Sequence, residues 1–133
     1  TYRDLKRYDE AIAAYQQASQ LDPTGAYNKT ELGLTYALQN QMANAYPVWQ
    51  SALTLFEDND ADNLHKALYT LALGDPQTAF QRLDLLLQTD VQADAIKAVL
   101  VDVEVLAQCP TPPEGLDDFA ARLKAHLTMQ VDL

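Results

Sequence analysis

The chain has 133 residues, 48% of them apolar and only 4 of them glycine, which suits one domain with a buried core and favours helices over a turn-rich sheet protein. A net charge of −10 argues against nucleic acid as a partner, since nothing here could replace counterions along a phosphate backbone, and it disfavours anionic membranes for the same reason. No apolar run approaches the length that crosses a bilayer, the N-terminus lacks a signal-peptide pattern, and the lone Cys109 cannot form an internal disulfide, so a cytoplasmic location is expected.

A first helix is predicted from about Asp9 to Leu21, with Asp9 as its N-cap and Asp22-Pro23 as its stop. Gly25 turns the chain into a helix over 26–38. Another is predicted over 42–56, where Pro47 stands early enough to be mild because first-turn amides lack partners anyway. The acidic turn 57–62 follows, and then a helix to about Leu73. Gly74-Asp75-Pro76 is a strong boundary: glycine closes one helix, aspartate caps the next, and proline takes its first position. That next helix ends near Gln88. Asp94 to Gln108 is read as a helix, although its alternating valines, Val99 to Val105, also fit a strand; a lone strand would have no pairing partner. Cys109 to Gly115, with three prolines, is a loop, and Leu116 to Leu127 is a closing helix.

A period runs beneath these elements. At steps of 34 residues Ala11, Ala45 and Ala79 fall in register, as do Tyr15, Trp49 and Leu83, and then Ala18, Ala52 and Leu86. Tyr2 and Tyr36 begin a further register that reaches Thr70. Small and large residues at constant offsets mark a tandem helical-hairpin repeat. Read in this register, Thr1 falls inside the first helix of a repeat, so the chain is expected to be an N-terminally truncated fragment.

The residues that carry the register resemble the tetratricopeptide repeat (TPR) family. Tyr8-Asp9-Glu10-Ala11-Ile12 through Tyr15, Ala18 and Pro23 is similar to the second half of such a unit, and Leu32-Gly33 with Tyr36, Ala45, Trp49 and Ala52 to a nearly complete one. The following unit departs from the pattern, with Ala67 in place of the glycine and Thr70 in place of the tyrosine. The acidic, glutamine- and alanine-rich composition resembles bacterial members. The resemblance implies an all-α fold, a right-handed superhelix of antiparallel helical hairpins with a C-terminal capping helix. One domain over 1–133 is expected, comprising a partial repeat 1–25, repeats 26–59 and 60–93, and a helix pair with cap over 94–133.

Catalysis has no visible seat: there is no phosphate-cradling glycine loop, paired cysteine or framed serine nucleophile, so no enzyme, no cofactor and no metal are expected. Asp58-Asn59-Asp60-Ala61-Asp62 lacks the glycine and glutamate that a calcium loop needs and reads as a helix-capping acidic turn. His65 has no second ligand at metal spacing and reads as a groove-lining polar contact.

The resemblance implies a protein-interaction module, a scaffold or assembly factor, whose first helices line a concave face. Tyr27, Glu31, Leu34 and Leu38 fall on one stripe of the first such helix, Leu64, His65 and Leu68 on the next, and Val99 and Asp102 on a third. These nine are the candidate ligand-binding residues. The stripe is apolar with few charges, so it suits a peptide or amphipathic helix that is neutral or basic and carries apolar anchors. The lysine, asparagine and arginine clamp by which some members hold acidic chaperone tails is absent, since Thr30, Glu31, Leu34, Ala61 and His65 occupy its places. Two states stay open at this level. The stripe is an open groove, or it is covered by the closing helix or by a second copy in a self-associating domain.

Overall fold

The computed structural model describes residues 7–131; Tyr2 lies outside them. Among the described residues there are seven α-helices and no strand: α1 (Tyr8–Leu21), α2 (Ala26–Leu38), α3 (Met42–Leu53), α4 (Asp60–Ala72), α5 (Pro76–Leu87), α6 (Ala93–Ala107) and α7 (Leu116–Val131). The all-helical expectation is met, including for 99–105. The alternating valines resolve as a helix because Ala95, Val99, Val103 and Leu106 share its buried side while Val101 is left exposed.

Two units divide the chain: residues 7–56 with Gln108–Thr111, and residues 57–107 with 112–131. In the first unit α2 packs against both α1 and α3. In the second, α4 packs against both α5 and α6, and α6 against α7.

Several boundaries differ from the sequence reading, each for a local reason. The N-cap of α1 is Arg7; Asp9 sits inside the first turn, where its carboxylate accepts from the Gln39 amide at 3.3 Å. Pro47 stands beyond the first turn of α3, so its missing N–H would have served the Ala43 carbonyl, and the helix continues through it. α3 ends three residues short of Phe56, because the amide and hydroxyl of Thr54 both turn to the Ser51 carbonyl, at 3.2 and 2.8 Å. Phe56 then leaves the helix and sets its ring edge-on to Tyr27, 5.6 Å away. α4 starts inside the expected acidic turn. Asn59 Oδ1 accepts from the Asp62 amide at 2.9 Å, and the Asp62 carboxylate reaches back to the Glu57 amide at 2.8 Å.

The Gly74-Asp75-Pro76 boundary is built as expected. Gly74 has φ +94°, the left-handed region that glycine adopts without strain, and Asp75 caps α5 by accepting from the Thr78 amide at 3.2 Å. α7 is held to α5 by Arg122, which grips Asp84 with contacts of 2.8 and 2.9 Å and lies 4.3 Å over the Phe80 ring.

Gly33 explains the repeat register physically. A Cβ on Gly33 would stand 2.2 Å from Trp49 Nε1 and 2.5 Å from Trp49 Cδ1, so only glycine lets the indole lie flat on α2. Trp49 is fully buried there, and its Nε1 donates to the Thr30 carbonyl at 3.4 Å. In the second unit the same register places Leu83 against a helix carrying Ala67, both fully buried: a smaller large residue tolerates a larger small one.

Candidate interaction surface

The structure sorts the nine stripe residues into two groups. On α2 of the first unit, Tyr27 is exposed and Glu31 and Leu38 are half-buried. Leu34, Leu64, Leu68 and Val99 have no exposed surface, and His65 and Asp102 retain only 4% and 5%. Six of the nine stripe positions therefore face other side chains of the same chain. The reason is the packing of the helices that carry them: α2 has neighbours in α1 and α3, α4 in α5 and α6, and a helix held between two neighbours buries a wider apolar arc than a surface helix does.

Within the second unit, two of the buried stripe positions and Tyr69 form a polar cluster that the sequence alone did not assemble. The Tyr69 hydroxyl on α4 donates to Asp102 Oδ2 on α6 at 2.7 Å. His65 Nε2 lies 3.6 Å from the same oxygen, and its Nδ1 is 2.6 Å from the Ala61 carbonyl. A carbonyl only accepts, so Nδ1 carries the proton and the ring is oriented with Nε2 toward Asp102. Tyr69 and Asp102 are both nearly free of solvent, so this hydrogen bond to a carboxylate lies in a low-dielectric setting where losing one partner is costly. Tyr69 was legible only indirectly: in the 34-residue register Asp102 stands where Leu34 and Leu68 stand, and a buried acid in an apolar row calls for a donor on the neighbouring helix.

The carboxylates of the acidic turn serve helix starts. Asn59 caps α4, the Asp62 carboxylate accepts from the Glu57 amide just ahead of it, and Asp58 accepts from the Asn63 side-chain amide at 3.0 Å. Among the described residues no group of histidine, cysteine and acidic side chains is arranged to hold a metal ion. Cys109 is buried, and desolvation pushes its thiol up to about 11. No described helix is long and apolar enough to cross a membrane.

Helical hairpins in neighbouring pairs, with an indole seated on a glycine one helix away, are the architecture that the periodicity implied. The family model described as TPR repeat matches residues 1–40. The chain fits a TPR-type repeat protein. TPR repeats generally mediate protein–protein interaction and are usually non-catalytic. No curated protein matches the chain.

Proposed function

We propose that this TPR-type chain recruits another protein, as a scaffold or assembly factor, through the stripe on its first helices. The observation that carries the reading is the exposed Tyr27 beside half-buried Glu31 and Leu38 on α2, an aromatic anchor with an acid one turn away. Tyr27 is braced by Phe56, so its ring is held in place before a ligand arrives. The net charge of −10 and Glu31 disfavour an acidic segment, so the partner is a neutral or basic peptide or amphipathic helix with apolar anchors. Self-association is the alternative reading; Leu34, Leu64, Leu68 and Val99 are already buried within one chain and would not supply its contact.

A photo-crosslinking residue placed at Tyr27 tests both. Tyr46 on α3 is similarly exposed and serves as the control site. One protein captured at position 27 and absent at position 46 is the expected result. Equal capture at both sites overturns the reading, and an adduct with twice the mass of the chain favours self-association.

A further inference from the structure

The buried cluster in the second unit invites a question about cost. An acid inside an apolar helix contact is less stable than a leucine of similar size would be, and the same register holds leucine at 34 and 68. Asp102 is retained inside, where it accepts from the Tyr69 hydroxyl, and the His65 ring lies beside it; both residues are on α4. On α4, Leu64 and Leu68 lie next to this pair in sequence and within the same arc of the helix; on α6, Val99 lies one turn before Asp102. The Tyr69–Asp102 hydrogen bond thus links α4 to α6 within the apolar stripe.

We propose that the Tyr69, His65 and Asp102 cluster is a latch that holds α6 on α4, and that its release bares Leu64, Leu68 and Val99 to a basic amphipathic segment. The proposal rests on the partner reading above and names the regulation of the second unit's part of the stripe. The chemistry of the occupant follows from what release leaves behind. Asp102 loses the hydrogen bond from Tyr69, and an occupant that covers the bared leucines also takes this carboxylate out of water, so it must supply a donor. An arginine or lysine flanked by apolar residues supplies a charge-assisted replacement, whereas a glutamate at that place meets like charge.

Hydrogen exchange on the full chain tests the device without any ligand. Tyr69→Phe removes the donor and keeps the ring, so amide exchange across α6 is expected to speed up about tenfold or more while α2 and α3 stay unchanged. Unaltered exchange in α6, or equal acceleration in every helix, overturns the latch whatever binds. The docking half uses two designed 15-residue amphipathic helices as probes, identical except that one carries arginine and the other glutamate among its leucines. Tyr69→Phe is expected to bind the arginine peptide about tenfold more tightly than the wild type does, with no gain for the glutamate peptide. Asp102→Asn added to Tyr69→Phe leaves the latch without its donor and removes the charge, so the double variant is expected to lose the preference for arginine over glutamate. Faster α6 exchange without any gain in arginine-peptide binding overturns the docking role, and capture at Tyr27 then decides the partner reading separately.

Discussion

The contact between Gly33 and Trp49 yields a number that can be worked from the structure. In Gly33→Ala the new methyl carbon would stand 2.2, 2.5 and 2.8 Å from three atoms of the indole, all far inside contact distance. Trp49 is fully buried, so the ring cannot swing away into solvent. Overpacking a filled core costs about 1–3 kcal/mol, and a rigid buried indole places this case near the upper end, about 3. Alanine in a helix interior is better than glycine by about 1 kcal/mol, so the net destabilisation is about 2. The sign should reverse once the indole is gone. In a Trp49→Leu background, Gly33→Ala meets no ring and is expected to stabilise by up to about 1 kcal/mol, giving an interaction energy of about 3 between the two sites. Urea unfolding followed by far-UV circular dichroism on the four chains of this cycle measures it. Gly33→Ala that stabilises the wild-type background, or sites that add without interaction, would refute the reasoning.

Trp49→Ala alone should cost about 3–5 kcal/mol in the same assay, from lost burial and a cavity that its neighbours cannot fill. Leu68→Asp places an unpaired carboxylate where no surface is exposed and should cost about 4 kcal/mol or more, whereas Leu38→Asp, at a half-buried stripe position, should stay within about 1 kcal/mol; comparable losses would contradict the burial pattern. Hydrogen bonds from the Thr78 hydroxyl and amide hold the Asp75 carboxyl below its ordinary 3.8. A depressed folded value means that this stabilisation is present above the unfolded value and is lost as pH falls below 3.8 through the folded one, so Asp75→Asn, which still caps, should unfold with a shallower acid limb; superimposable limbs would count against it. Cys109, with its thiol pushed up to about 11 by burial, should react with a disulfide reagent at pH 8 about a hundredfold or more slowly in the native chain than in urea, and equal rates would show that the loop does not bury it.

What was legible in the chain was what repeats or what acts locally. Glycine, aspartate and proline at 74–76 carry their own backbone preferences, so that boundary came out as read. The helices over 26–38 and 76–87 also fall where periodicity put them, to within a residue. Ends set by weaker competition moved. Thr54 closed α3 early by taking the Ser51 carbonyl, and Asn59 opened α4 early by offering its side chain to Asp62. Such hydrogen bonds compete with one more turn of helix by small margins, and periodicity does not contain them.

By itself the sequence determined the helical class and the 34-residue spacing, because small and large residues at constant offsets record a hairpin unit that recurs along the chain. It also placed Tyr27, Glu31, Leu34 and Leu38 on one side of one helix, since that follows from 3.6 residues per turn. Only the tertiary structure decided which of the stripe residues meet solvent. Exposure depends on how many neighbours a helix has and at what distance, and α4 and α6, packed against each other, turned Leu64, Leu68 and Val99 inward. The same packing brought Tyr69 to Asp102 across 33 residues of chain. A side chain's partner on another helix is fixed by where the two backbones lie in space, and that is information which no single helix carries.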